Sequence, residues 1–363
     1  MNAKICGFLA AVAVGGVLLS GCMSPGRNAA AARVDAAMAA AFGQYHLEYM
    51  NVAFEQHGEL RYQYVRKADV VRPGRGKDPQ APFDADTPLH VASITKVMTS
   101  VLVVQLVEEG KVALLDPIRR YVPEFPDAEV TVLDLMVHSS GYRNGAGSYW
   151  QDPGKFYGAM HKIFERGTTN RYFSVGYDIL ADMIERVTGA DDVAAVARAR
   201  IFAPLGMAHT SFEPHCGRTG MRTTAPDLVR FGREILTILA TRRSGILTPA
   251  GADLLLRPVD SRPEFRRTCA FFVKSGRPGF SQYFADLNSM RAVGHAGATG
   301  CYLLLDPGYD TVQVILTGST TNEIQRDDTN FSRLNAVMLA NLADSPMGDL
   351  APPAARKGGC GDE

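Results

Sequence analysis

The chain has 363 residues, 46 % of them hydrophobic, with 38 basic side chains set against 38 acidic ones. That length and composition suit a globular protein with a large core, built as one large domain or two intimately packed ones. The charge balance gives no reason to expect nucleic acid or an anionic surface as partner, and no repeat at a fixed period supports a solenoid or propeller.

Met1 to Lys4 is a short start with one positive charge, and "ICGFLAAVAVGGVLL" follows. This apolar run is short for a bilayer span and suits a signal-peptide core. It ends in "LSGC", Leu19 to Cys22, which resembles the lipobox of bacterial lipoproteins. The resemblance implies a signal peptide over 1–21, lipidation at Cys22 and a linker over 22–30. With Met23 after the cysteine, it also implies a periplasm-facing protein anchored at the outer membrane. A signal peptide with a chance cysteine, and an uncleaved membrane anchor, are the alternatives. Cys6 leaves with the signal. Cys216, Cys269, Cys301 and Cys360 remain, none spaced as CxxC. An exported protein permits disulfides, but spacing does not pair these four, and buried thiols at Cys269 and Cys301 are an equal reading.

The segment from Asn28 to Tyr45 is alanine-rich and helical by propensity. "NVAFEQHGE" and "LRYQYVRKAD" meet at His57-Gly58 and predict an antiparallel hairpin. "ITKVMTSVLVVQLVEEGKV" is apolar on nearly all sides and stops at Gly110, which predicts a buried helix. Four helical patterns follow. "TVLDLMVHSSGY" closes at Gly141, "GYDILADMIERVTG" at Gly189 and "DDVAAVARARIFAPLG" at Pro204-Leu205-Gly206, and "TTAPDLVRFGREILTIL" takes Thr224 as its N-cap. Strands return at "CAFFVKS", "RAVGHAG", "GCYLLLDP" and "DTVQVILTG", before a last helix, "NFSRLNAVMLANLAD". The fold class expected is α+β, a sandwich over residues 31–345. Its antiparallel sheet comes from both chain ends (about 31–117 and 265–345), with an inserted mostly helical part (about 118–264) and a cleft between them. The Pro/Gly-rich stretch 346–363 is expected to be disordered.

In "HVASITKVMTS", Ser93 and Lys96 stand three apart at a helix start, so they share a face. One reading is a helix cap with an incidental lysine. The other is a nucleophile beside its base. A serine hydroxyl attacks only when something takes its proton. Burial among Val91, Ala92, Ile94, Val97 and Met98, together with the helix N-terminus, would lower the lysine pKa enough for that. The N–H of Ser93 would then face a developing oxyanion.

Two more segments bear on the choice. "NRYFSVGYDILADMIERVTG" puts Tyr172 and Ser174 ahead of a helix, and "VGHAGATGCYLLLDP" puts His295-Ala296-Gly297 on a strand feeding a glycine turn. With these, and with "LLDPIRRYVPEF", "LDLMVHSSGY", "IFAPLGMAHTSF" and "TTAPDLVRF" in order, the chain from about 30 to 345 resembles the serine β-lactamase and penicillin-binding-protein superfamily. The likeness is to its class C-like branch, which includes D-amino peptidases and esterases. The resemblance implies Ser93 as the acylated nucleophile, Lys96 as its activator, Tyr172 as a proton shuttle and His295 in the place of the K-T-G lysine. It also implies Gly297 as the point of close substrate approach and the Ala298 N–H as second oxyanion donor. Nearby cations are expected to lower the phenol pKa of Tyr172. His138 is expected to frame a helix end.

The pattern departs from the family at two substrate-binding positions. Ser174 replaces the asparagine of Y-x-N, and its hydroxyl reaches less far than an amide. Ala296 replaces the hydroxyl residue of K-T-G that helps hold a substrate carboxylate. A missing partner of this kind costs about 1–3 kcal/mol. Ester hydrolysis is therefore favoured over β-lactam or D,D-peptide cleavage, although His295 as imidazolium could still meet a carboxylate. A catalytically weak binding protein on the same scaffold is the competing class. The substrate-shaping loops, including Trp150, decode to no ligand, and Trp150 lines the cleft or packs. No cofactor motif appears, neither a Gly-rich phosphate loop nor HExxH, so no metal or organic cofactor is expected. The partners expected are a small molecule or peptide bearing an ester or amide, and the membrane through the lipid; the oligomeric state is open.

Overall fold

The computed structural model describes residues 25–71, 80–143, 151–259, 267–274, 283–318 and 330–344. Cys22, Trp150, Cys360 and the expected tail therefore lie outside the described residues.

In chain order the elements are α1 (Pro25–Gln44), β1 (Tyr49–Gln56), β2 (Glu59–Lys67), β3 (Leu89–His90), a 3₁₀ turn (Ala92–Ile94) and α2 (Thr95–Glu108). Next come α3 (Val132–Met136), β4 (Tyr142–Arg143), α4 (Pro153–Gly158), β5 (His161–Lys162), α5 (Gly176–Thr188) and α6 (Val193–Ala197). The last are β6 (Ser211–Phe212), β7 (Met221–Thr223), α7 (Ala225–Thr241), α8 (Pro249–Leu256), β8 (Phe272–Val273), β9 (Val293–Gly297), β10 (Cys301–Asp306), β11 (Thr311–Leu316) and α9 (Asn330–Leu342). α1 includes Pro25 and so reaches into the expected linker.

The main sheet is antiparallel, in the order β2-β1-β11-β10-β9-β8. Pairing of Asn51 with Leu316 through Gln56 with Thr311 joins the N-terminal hairpin to the C-terminal strands. The hairpin turns on His57 (φ 56°) and Gly58 (φ 82°), the left-handed pair of a type I′ turn, which matches strand twist. Side chains alternate between two cores, as a period of two requires. Leu303, Leu305, Val312, Val314 and Leu316 face a core shared with α2, α5, α7 and α8. Tyr302, Leu304, Ile315, Met50, Val52 and Phe54 face another, covered by α1 and α9. The sheet is thus filled on both sides, which is why its strands read as continuous apolar runs.

The structure differs from expectation in two places near the cleft. The helix read as closing at Gly141 ends at Met136, because His138 turns left-handed (φ 61°) and its carbonyl takes the N–H of Arg171 at 2.9 Å. The strand expected over "CAFFVKS" is only Phe272–Val273. Thr268 Oγ1 captures the N–H groups of Ala270 and Phe271 (3.0 and 2.8 Å), so the chain turns before it can pair. Among the described residues Cys216, Cys269 and Cys301 are free thiols, and burial pushes Cys269 up to about 11.

Candidate active site

The site forms where the first turn of α2, the C-terminal end of β9 and the loops before α5 and β7 converge. Its backbone is fixed from several sides. Val91 N–H donates to Met221 O (3.1 Å). Thr95 Oγ1 donates to Ala92 O (2.6 Å) and accepts from Met221 N–H (3.0 Å). Thr99 Oγ1 donates to Gly217 O (2.8 Å). These bonds hold Ala92 at φ +46°, a conformation that costs a non-glycine residue about 1–2 kcal/mol. Backbone strain of this kind concentrates at functional sites, and here it lies directly before Ser93.

Ser93 is not a cap, since neither the 3₁₀ turn nor α2 has a side-chain cap. Its Oγ is instead within 3.3 Å of Lys96 Nζ and accepts from Tyr172 Oη at 2.9 Å. With the phenol donating to Oγ, the hydroxyl hydrogen of Ser93 is free to rotate toward the amine. Lys96 has no exposed surface and donates to Arg218 O at 2.8 Å. Burial lowers its pKa from 10.5 to about 7, Asp178 opposes the shift, and Arg218 and Arg267 reinforce it. The amine is therefore about half deprotonated at neutral pH, as a base for a serine must be.

Tyr172 corrects an expectation. Burial raises its phenol above the ordinary 10 and outweighs the opposing influence of the Ser93 and Ser174 hydroxyls and the charge of Arg267. Tyr172 keeps 46 % of its surface exposed, which limits the shift but does not reverse it. The phenol stays protonated at neutral pH and is a donor in the resting site. His138, buried and kept neutral by burial, accepts from Phe173 N–H (3.2 Å) and lies 4.5 Å from the Tyr172 ring. It frames the tyrosine.

Gly297 meets its steric requirement. A Cβ there would sit 2.0 Å from Val91 O and 3.5 Å from Ser93 N, so only glycine lets β9 lie against the turn that carries Ser93. Ala298 follows, exposed, in the turn after β9. Ala296 points the other way, into the aromatic core with Tyr302. The Ser174 hydroxyl lies close enough to the Tyr172 phenol to favour its ionised form.

His295 is the second correction. It is 1 % exposed, with Nδ1 2.9 Å from Ala296 O, its ring 5.3 Å from Phe272 and Nε2 without a partner. Burial, with Arg267 and Lys96 nearby, drives its pKa well below 6.5. It is neutral and cannot act as the imidazolium that would meet a carboxylate. No hydrogen bond joins it to Ser93, Lys96 or Tyr172 among the described residues.

Three charged residues of the site escaped sequence reasoning. Asp178 Oδ2 pairs with Arg218 Nε at 3.1 Å and so braces the carbonyl that holds Lys96. Burial raises Asp178 to about 6. Its one legible signal is an acid inside the apolar stretch "GYDILADM". Arg267 is 8 % exposed, with its guanidinium 3.9 Å from the Phe272 ring centroid and 5.6 Å from that of Tyr172. Nothing local marks Arg218 or Arg267, because both reach the site from distant loops.

Known proteins bear on this geometry. The family model described as Beta-lactamase matches residues 30–337. Penicillin-binding protein 4 of Amycolatopsis lactamdurans is 28 % identical over 325 residues, covering 74 % of this chain and 81 % of that protein. Esterase EstB of Burkholderia gladioli is 29 % identical over 208 residues, about half of each chain (50 % and 51 %). Among solved structures, a class C β-lactamase mutant superposes with a TM-score of 0.68 at 16 % identity, covering 85 % of this chain and 98 % of that one, which is a likeness of fold. A match across most of the chain, on a fold that sets Ser93 between a buried amine and a phenol, makes this protein a member of the β-lactamase family of serine hydrolases.

Proposed function

We propose that the protein is an esterase-like hydrolase that works through a Ser93 acyl-enzyme, lipid-anchored at Cys22 and facing the periplasm. The observation that carries the catalytic part is the buried Lys96 amine, at about 7, within 3.3 Å of Ser93 Oγ. Neutral Lys96 takes the Ser93 proton as Oγ bonds to the substrate carbonyl carbon. The carbonyl oxygen becomes an oxyanion, received by the N–H groups of Ser93 and Ala298. As the carbonyl re-forms, the bond to the leaving oxygen breaks. Tyr172 donates its proton to that oxygen and is restored by the proton held on Lys96. Water then attacks the ester, with the same groups moving its proton in reverse.

The preference for esters rests on what the site lacks. Ser174 is a short hydroxyl in place of an asparagine amide and Ala296 faces the core, so neither offers the polar grip an amide substrate needs. An ester's better leaving group demands less, and the similarity to EstB is consistent with it. Peptidoglycan-type amides or β-lactams are the second reading, supported by the longer match to a penicillin-binding protein. The envelope location rests on "LSGC", Leu19 to Cys22.

Three experiments test this. A fluorophosphonate probe should label the form lacking residues 1–22 and spare Ser93→Ala. The same form should turn over p-nitrophenyl esters faster than nitrocefin or D-amino peptides. Equal labelling of both proteins would refute Ser93 as the nucleophile, turnover of no substrate would mean a binding protein, and faster peptide cleavage would favour the second reading. Cys22→Ser in the full chain should release the protein from the membrane fraction.

A further inference from the structure

The cleft holds three basic side chains, and they differ in what balances them. Lys96 sheds its proton near neutrality. Arg218 is paired with Asp178. Arg267 is 92 % buried by its 8 % exposure, yet it has no carboxylate or carbonyl partner among the described residues. A guanidinium does not deprotonate in a protein, and an unpaired buried charge is expensive. Stacking on Phe272 at 3.9 Å, with Tyr172 at 5.6 Å, offsets part of that expense. It also fixes the plane of the fork and leaves its N–H edges available.

Among the described residues the neighbours supply no counter-charge. His295 and His138 are neutral, and Tyr172 is protonated. Of the two positions where the family binds substrate polar groups, Ser174 carries only a short, uncharged hydroxyl and Ala296 faces the opposite core. An anion entering beside Tyr172 would therefore find one permanent, pre-oriented cation.

We propose that Arg267 receives a carboxylate of the substrate, so that the preferred acyl donor carries a negative charge close to its scissile carbonyl. The inference rests on the hydrolase reading above and narrows its substrate class. A planar guanidinium held by aromatic rings matches a carboxylate through two parallel N–H···O bonds. Arg267 would thus take over the carboxylate recognition that Ala296 cannot give.

The test compares p-nitrophenyl hemiglutarate, with the charge on the acyl side, and m-carboxyphenyl pentanoate, with the charge on the leaving group, against their neutral pentanoate counterparts. The readout is the anionic-to-neutral ratio of kcat/KM within each protein, which cancels any general change in the site. The wild type should favour one of the anionic esters. That ratio should fall roughly 10- to 100-fold in Arg267→Gln, as expected for a lost charge-assisted bond, and recover in part in Arg267→Lys. The arm that responds tells which side of the scissile bond carries the charge. A wild type without an anionic preference, or a preference unchanged in Arg267→Gln, overturns the proposal. Glutarate should also inhibit the wild type more strongly than glutaramide, a measurement that needs no variant; equal inhibition counts against it. If the wild type cleaves no ester at all, the hydrolase reading fails by itself. Calorimetric binding of glutarate to Ser93→Ala, lost on adding Arg267→Gln, would then still support the anion site, and its absence would overturn it.

Discussion

Two regions of this molecule bury charge and treat it in opposite ways. Where α7 crosses the sheet, Arg233 reaches Glu55 and Asp310, each at 2.6 Å, and Asp310 also meets His57 at 2.9 Å. Every charge there has a partner. In the cleft, Lys96 has no carboxylate in contact, Asp178 Oδ1 lacks a hydrogen bond and Arg267 has no counter-ion among the described residues. Paired charges fasten layers together. Under-paired ones lower stability and leave protonation states and binding capacity available for chemistry.

Breaking the cleft should cost activity before stability. Ser93→Ala should abolish turnover, and Lys96→Ala should lower kcat/KM by roughly 10³-fold or more with the fold retained, as read by steady-state kinetics and circular dichroism. Breaking the paired region should do the reverse. Arg233→Ala leaves Glu55 and Asp310 facing each other and should destabilise the protein by about 3 kcal/mol in urea unfolding, with kcat of the folded protein changed less than about twofold.

A finer contrast is a gain. Unfolded Lys96 binds its proton up to about pH 10.5, whereas folded Lys96 releases it near 7, so the unfolded state holds the extra proton between those values. Wild-type stability should therefore rise with pH across that window on this account. Lys96→Met should be more stable than wild type at pH 7, and the difference should shrink as the wild type gains stability toward pH 10.5. Urea midpoints at both values check it.

The smallest effect is on pH dependence. Wild-type kcat/KM should climb through about pH 7 as Lys96 deprotonates, with no fall before pH 10 because Tyr172 is raised. Asp178 holds the Lys96 pKa up, so Asp178→Asn should move the rising limb to lower pH, by less than about one unit.

Much of this was legible in the sequence because it is local. The His57-Gly58 turn, the Thr224 cap bonded to Asp227 N–H at 3.2 Å and the Gly189 stop with φ 69° all lie within a few residues of what they control. Ser93 and Lys96 are likewise one turn apart. The unforeseen features depend on distant packing. β3, β7 and β6 are two or three residues each, too short for periodicity, and come together from Leu89, Met221 and Ser211. Arg218 and Arg267 join the site only in the folded chain. The states of Tyr172 and His295 are not legible in the sequence because each balances opposing influences. Cations pull the phenol down and burial pushes it up by more, and His295 has too much packing around it to carry charge.

The most direct test titrates Lys96 itself. In protein labelled with ¹³Cε-lysine, the resonance absent from Lys96→Arg should show its inflection near pH 7. An inflection near 10, where an ordinary lysine titrates, would contradict the account, because the amine would then be an ammonium at working pH with no capacity to take the Ser93 proton.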